Sequence, residues 1–227
     1  MTPLLARDGY RLWAPTYEDE TAVSFLENDL VGDLRVPVRG VLLDAGCGTA
    51  RRLRDATRAR LAVGADASTA MLGRAARDDG AASPLLVGAD LRALPFAAAS
   101  FDVVWCRLAI GHVREVDRVY GELSRVCRTG GWVVVSDVHP DAVAAGHRRT
   151  FRDANGVVHE IEHHVHPVER HLECAGARRL RVRAHRDGAV GPRLRGFYKR
   201  ARRLDMYDQQ RGLRLVLALA FQREPGA

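Results

Sequence analysis

The sequence predicts an α/β fold, a mostly parallel sheet with helices on both faces, and three observations predict it. Short apolar runs alternate with longer amphipathic stretches between Val36 and Val138. Those runs are aliphatic on both faces, as buried parallel strands are, and each stops at a polar residue. In an open sheet of this kind ligands bind beyond the carboxyl ends of the strands.

The strands are expected at Val41–Leu43, Ala62–Ala65, Pro84–Val87, Asp102–Trp105 and Trp132–Val135, ending at Asp44, Asp66, Asp90, Arg107 and Asp137. Between them Ala50–Arg60, Ser68–Arg77 and Val116–Cys127 have helix-forming composition, and Ser68-Thr69 supplies a cap. Arg128-Thr129-Gly130-Gly131 is expected to break the chain before the fifth strand. Upstream, Tyr10–Leu30 carries Trp13, Tyr17, Phe25 and Leu26 and reads as an amphipathic helical segment over the sheet or its mouth. Beyond Pro140 the rhythm changes. Asn155-Gly156 signals a turn, and the alternation of Val157, His159, Ile161, His163 and Val165 predicts a hairpin. A short helix over Pro167–Ala175 and strands over Arg179–Ala184 and Leu213–Arg223 complete the expectation.

A chain of 227 residues with 47% hydrophobic content suits one domain with a sizeable core. No apolar run reaches the ~18 residues of a membrane span, and Met1–Arg11 lacks the pattern of a secretory leader, so a cytoplasmic protein without a membrane partner is expected. Cys47, Cys106, Cys127 and Cys174 form no C-x-x-C pair, which argues for reduced thiols and against a zinc knuckle or disulfide framework. The net charge of +7 is uneven: residues 1–146 carry 17 basic and 19 acidic side chains, residues 147–227 carry 18 and 9. Such a basic C-terminal part suits nucleic acid, an acidic substrate or simply a solvated arginine-rich face. The arginines are not interleaved with aromatics apart from Phe197 and Tyr198, which favours the last.

The segment Val41-Leu42-Leu43-Asp44-Ala45-Gly46-Cys47-Gly48-Thr49 runs from a strand into a glycine-bearing turn that opens a helix, so a ligand can approach its backbone closely. A dinucleotide fingerprint requires a small residue at position 51, where Arg51 stands, and this weakens a nicotinamide reading. Asp66 lies 22 positions beyond Asp44 at the end of the second strand, where a carboxylate can accept both hydroxyls of a ribose. Asp90 ends the third, placed to accept from an adenine amino group with Leu91 and Met71 on either side of the ring.

Taken together, Asp44-Ala45-Gly46-Cys47-Gly48-Thr49, Gly64-Ala65-Asp66, Gly88-Ala89-Asp90-Leu91, Leu94-Pro95-Phe96, Ser100-Phe101-Asp102-Val103-Val104 and Glu122-Leu123-Ser124-Arg125-Val126 resemble the successive motifs of class I S-adenosyl-L-methionine-dependent methyltransferases. The likeness covers roughly residues 36–140 and is strongest to the type 11 branch, which includes ubiquinone-biosynthesis and natural-product methyltransferases. It implies a Rossmann-like seven-stranded sheet, mostly parallel with the last strand antiparallel, an N-terminal helical lid and a cap inserted in the C-terminal half. The whole of 1–227 is then one domain: lid 1–35, cofactor-binding core 36–140, cap 141–178 and closing strands 179–227. Cofactor contacts are expected from Asp44, Gly46, Cys47 and Gly48 in the glycine loop and from Asp66, Ala67 and Met71 after the second strand. Further contacts are expected from Ala89, Asp90 and Leu91 after the third strand and from Cys106 and Arg107 at the fourth. Tyr10, Trp13 and Tyr17 resemble the branch's aromatic lid, Tyr17 being a further cofactor contact; Glu18 departs from its usual aspartate.

His159-Glu160-Ile161-Glu162-His163 matches a zinc-protease pattern literally. That pattern needs a helix; on the strand expected here its histidines lie ~13 Å apart, too far to share a metal, and no metal site is expected. Methyl transfer needs a general base only where the acceptor must lose a proton, and His139, His166 and His112 are the candidates. The acceptor is expected to be a small molecule bearing an oxygen, nitrogen or carbon nucleophile, with S-adenosyl-L-homocysteine as by-product. Nucleic acid is the alternative, disfavoured because Cys106-Arg107-Leu108-Ala109-Ile110 lacks the Pro-Pro motif of amino-directed nucleic-acid enzymes. A cofactor-binding relative that does not methylate, and either a monomer or a homodimer, stay open.

Overall fold

The computed structural model describes residues 2–17, 20–76 and 84–226. Seven strands form one sheet: β1 (Gly40–Ala45), β2 (Ala59–Asp66), β3 (Leu85–Gly88), β4 (Phe101–Arg107), β5 (Cys127–Val138), β8 (Leu180–Ala189) and β9 (Arg214–Arg223), while β6 (Thr150–Arg152) and β7 (Val158–Glu160) form a separate hairpin. The order across the sheet is β3-β2-β1-β4-β5-β9-β8, and β9 runs antiparallel to both its neighbours. The winding therefore reverses between β1 and β4, and the crevice beyond their carboxyl ends is where such a sheet takes a ligand.

Alternating residues of the central strands feed two cores. Leu43, Val104, Val133 and Leu219 face one side, packed by Val119, Tyr120 and Leu123 of α5 (Val116–Val126) and Ala175 of α7 (Val168–Gly176). Leu42, Val103, Val134 and Ala218 face the other, covered by Leu30 of α2 (Ala22–Asp33), Leu53 of α3 (Arg51–Arg54), Ala75 of α4 (Thr69–Ala75), Ala142 of α6 (Pro140–Ala144) and Tyr207 of α9 (Leu204–Gln210), with Phe197 of α8 (Arg195–Arg200) at the margin. Burial on both faces is what the continuous apolar runs encode.

Several predicted elements change length. The helix expected over Ala50–Arg60 shrinks to one turn at α3, because after Leu53 only Ala56 offers an apolar contact and β2 must begin at Ala59 to pair with Gly40. Gly130-Gly131 does not break the chain: it lies inside β5 as an irregularity between the pairings Phe101–Cys127 and Val103–Trp132. Strand β8 runs on to Ala189 instead of stopping at Ala184, since as an edge strand it pairs with β9 on one side and exposes polar His185 and Arg186 on the other. Ser68 caps α4 as expected, accepting from the Met71 amide; the predicted end at Arg77 lies outside the described residues, as does Glu18.

The N-terminal segment is two helices, α1 (Ala6–Trp13) and α2, parted by a 3-10 turn containing Pro15. Thr21 starts α2 with a reciprocal cap to Ser24. The hairpin turns at Asn155-Gly156, as predicted, but the strand ends at Glu160 and residues 162–167 are irregular. Leu4 adds to this hairpin at Ile161, exchanging backbone bonds with Glu160 and Glu162, and Trp13 stacks on Phe151 at 5.0 Å. The N-terminal segment and the β6–β7 hairpin are thereby joined. Among the described residues no helix is long and apolar enough to cross a membrane.

Candidate functional site

Beyond Ala45 the chain turns through Gly46 (φ +85) and Gly48 (φ +56), a left-handed path that glycine follows without steric cost. The amides of Gly46 and Cys47 donate to the Ala65 carbonyl, tying the loop to β2. A Cβ on Gly46 would overlap the Ala109 side chain, so the small residue lets the segment after β4 close against the loop. Asp66 accepts the Gly48 amide on one oxygen and the Ser68 amide on the other, both at 2.8 Å. Burial raises its pKa, which those two bonds only partly offset. Each of its oxygens keeps a second lone pair for a ligand.

These residues line a cavity of about 610 Å³, within the range of about 300–1,000 Å³ typical of small-molecule and cofactor sites. Of the predicted cofactor residues, Tyr17, Gly46, Gly48, Asp66, Ala67, Ala89, Asp90, Leu91 and Arg107 stand on its wall. Asp44, Cys47, Met71 and Cys106 are buried and do not stand on its wall. Asp90 is half-buried and already committed to Arg92, whose guanidinium and amide hold its pKa low. An adenine amino group at Asp90 must therefore share the carboxylate with Arg92.

Two buried carboxylates of opposite character flank the glycine loop. Asp44 is fully buried and neither oxygen has a hydrogen-bond partner among the described residues. Burial lifts its pKa to about 6, with Arg52 and Arg107 pulling the other way. Glu27, which sequence reasoning missed, is equally buried but fully partnered. It accepts from Arg107 at 2.8 and 2.9 Å, from Arg52 at 3.1 Å and from the Ser136 hydroxyl at 2.7 Å. Burial alone would raise Glu27, yet the two arginines bring it down to about 2. Arg107, expected to meet the cofactor, spends its guanidinium on Glu27 and Asn28 and presents the rest of its surface to the cavity. An acid between Leu26 and Leu30 in a helix carries no local mark that could have singled it out.

The three predicted histidines separate. His112 is on the cavity wall: its Nδ1 lies 3.0 Å from the Glu162 carbonyl, which can only accept, so Nδ1 carries the proton and Nε2 accepts the Tyr10 hydroxyl at 2.9 Å. Burial and the nearby Arg149 push its pKa well down, so it stays neutral. His139 is no wall residue: it caps α6 by accepting the Asp141 amide and is buried beside β9. His166 donates to the Val113 carbonyl at 2.9 Å and is also off the wall, its ring set against His171. His139 and His166, both expected on the substrate side, thus stand off the wall of this cavity, each with one ring nitrogen on a backbone group. Of the other histidines, His164 is on the wall and His163 Nε2 is 3.3 Å from Asp137 Oδ1. That pair exists because Gly111 has no Cβ; one there would overlap both groups. In the zinc-protease-like segment His159 instead faces Asp153 at 2.9 Å, and the two histidines, on a non-helical segment, serve different partners.

Residues 43–135 match the family model described as a methyltransferase domain. The chain is similar to a malonyl-[acyl-carrier protein] O-methyltransferase of Methylovorus sp. (strain MP688), 31% identical over 122 residues, which cover 49% of this chain and 41% of that protein. It thus spans about two fifths of that relative's length. An S-adenosylmethionine-dependent methyltransferase from Mesorhizobium loti shares its fold with a TM-score of 0.68 at 22% identity, over 87% of this chain and 98% of that one. A geranyl diphosphate C-methyltransferase from Streptomyces coelicolor A3(2), solved with S-adenosyl-L-homocysteine, gives 0.65 at 18% identity, over 88% and 79%. The stretch that matches a methyltransferase domain, residues 43–135, supplies the parallel core of a seven-stranded sheet closed by an antiparallel strand, and in both respects the chain is similar to class I S-adenosyl-L-methionine-dependent methyltransferases.

Proposed function

We propose that this protein transfers a methyl group from S-adenosyl-L-methionine to a nucleophilic oxygen, nitrogen or carbon of a small molecule, a secondary metabolite or quinone precursor. The observation that carries the reading is the row of strand-end groups, Gly46, Gly48, Asp66 and Asp90, on the wall of one cavity closed over by Tyr10 and Tyr17. The cofactor fits these residues: Asp66 has lone pairs to spare for ribose hydroxyls, and Asp44 is a buried carboxylate without a partner beneath the loop expected to face the cofactor's ammonium. When bound, the cofactor supplies an activated methyl on a sulfonium. The chain's part is to hold acceptor and methyl in line, which contributes most of the rate in such a displacement. Neutral His112, its proton fixed on Nδ1, orients the Tyr10 hydroxyl at the cavity wall, and Tyr17 packs against Gly48 to exclude water. Oxygen is the favoured acceptor atom, since the curated relatives are named as O-methyltransferases.

The test is calorimetry with S-adenosyl-L-homocysteine, followed by mass spectrometry of turnover on malonyl thioesters and phenolic acids, with transfer RNA as a second acceptor class. Micromolar binding and methylation of a small molecule support the reading. Binding with no methylated product supports a non-methylating relative, and salt-sensitive methylation of RNA alone would replace the small-molecule acceptor by nucleic acid.

A further inference from the structure

The cofactor cavity shares Tyr10, Tyr17, Arg52 and Leu108 with a neighbouring chamber of about 190 Å³, and this in turn shares Val138, His147, Arg148 and Arg149 with an outer cavity of about 480 Å³. The middle chamber is lined by Arg51, Arg52, Arg148, Arg149 and His147, and among the described residues no carboxylate lies on its wall. Two of these cations are spoken for: Arg52 pairs with Glu27, and Arg148 pairs with Glu160 at 3.1 Å. Arg149 is different. Its Nη2 donates to the Leu108 carbonyl at 2.7 Å, its Nη1 is buried with no acceptor, and no carboxylate among the described residues lies within ion-pair distance of it. The histidines around it do not change that balance, because desolvation together with the arginine's own charge holds His112 and His147 neutral.

Leu108 links this arginine to the cofactor site. It lines both cavities, and its backbone is held in the left-handed region (φ +55), a strained state for a branched side chain. The Ser136 carbonyl and hydroxyl fix its amide while Arg149 fixes its carbonyl. One of its five N–H donors serves Leu108, and the guanidinium on the chamber wall keeps donors and a permanent charge for an oxyanion.

We propose that the methyl acceptor carries an oxyanion, a carboxylate or a phosphate, and that Arg149 seats it in the middle chamber one residue from the cofactor cavity. This rests on the methyltransferase reading for the identity of the ligand as acceptor, though not for the existence of the anion site. On the outer cavity Arg148 offsets the charge of Glu160, while Glu162, 3.5 Å from a neutral His164, keeps its own.

The test uses the full chain, with and without S-adenosyl-L-homocysteine, titrated by calorimetry at low ionic strength with malonate, glycerol 3-phosphate and neutral malonamide. Binding of malonate or glycerol phosphate at least ten-fold tighter than malonamide is expected, and which anion binds better distinguishes carboxylate from phosphate. Arg149→Gln is expected to lose that preference while keeping homocysteine-cofactor affinity within about two-fold; Arg149→Lys, which keeps the charge without the fork, should lose less. Equal binding of malonate and malonamide by the unaltered chain overturns the proposal whether or not the variants fold, as does anion binding that Arg149→Gln leaves unchanged. Arg149-dependent anion binding in a chain that takes no S-adenosyl-L-homocysteine would keep the site and sink the methyltransferase reading instead.

Discussion

The two sides of the site are built differently. On one side of the cavity four groups sit at the ends of the strands that position them: Gly46 follows β1, Asp66 ends β2, Asp90 follows β3 and Arg107 ends β4. Opposite them the packing joins segments far apart in the chain, with Tyr10 on His112, Trp13 on Phe151, His163 on Asp137 and Arg149 on Leu108. A side built by strand ends keeps its chemistry when loops vary, whereas one built by docking N-terminal helices against a hairpin can be re-cut without touching the sheet.

Glu27 crosses that division, since it rides on the lid-side helix α2 but neutralises two arginines beneath the glycine loop, so its removal is the hardest blow to the comparison. Glu27→Gln breaks both ion pairs and leaves Arg52 and Arg107 buried with no carboxylate in contact, and a loss of about 3–5 kcal/mol in urea unfolding is expected. The sign with pH follows from its depressed pKa. A carboxyl at about 2 folded, against about 4.3 unfolded, stabilises fully above the unfolded value, by about 3 kcal/mol, and loses this as pH falls toward 2. The variant should therefore show a flatter acid limb than the parent.

Next in size, Asp66→Ala should weaken S-adenosyl-L-homocysteine binding by about 100-fold in calorimetry, because charged acceptors of hydrogen bonds contribute about 1.5–3 kcal/mol each. Asp90→Ala should cost less than about ten-fold, since Asp90 shares itself with Arg92. Equal losses at the two positions would erase the distinction between an acid held by backbone amides and one committed to an arginine.

Asp44 sharpens the cofactor side further. Its pKa, raised to about 6, means the folded chain binds a proton that the unfolded chain has released by about pH 4, so this group's contribution to stability falls as pH rises from 4 to 6. A ligand ammonium beside it favours the charged form and reverses the shift. Affinity for S-adenosyl-L-homocysteine should accordingly rise by about ten-fold between pH 5 and pH 7, and Asp44→Asn should abolish the rise. A pH-independent affinity in the parent would place the ammonium elsewhere.

The same contrast explains what was readable beforehand. The parallel strands, the glycine loop and Asp66 were legible because strand, turn and acid are consecutive in the chain, and the Asn155-Gly156 hairpin because its turn chemistry is local. Glu27 was not, since nothing near it in sequence announces two arginines arriving from β4 and α3. His163 hides behind Gly111, a residue whose missing Cβ matters only once the cap has folded down. The short α3 and long β8 were missed for a related reason: what ends or extends them is the partner strand's register.

The smallest effect is the one that separates position in sequence from position in space. His139 follows the end of β5, as Asp66 ends β2, and by chain position it belongs to the carboxyl edge where chemistry happens. In space its Nδ1 accepts the Asp141 amide at the start of α6, its amide donates to Leu215, and its ring faces Asp187 across 3.7 Å. His139→Ala should then lower stability by about 1 kcal/mol, the scale of a lost helix cap, and leave turnover within two-fold. His139→Asn, which can cap in the same way, should recover most of that loss. A large fall in turnover at unchanged stability would return His139 to the acceptor side and move the boundary between the two regions by one strand.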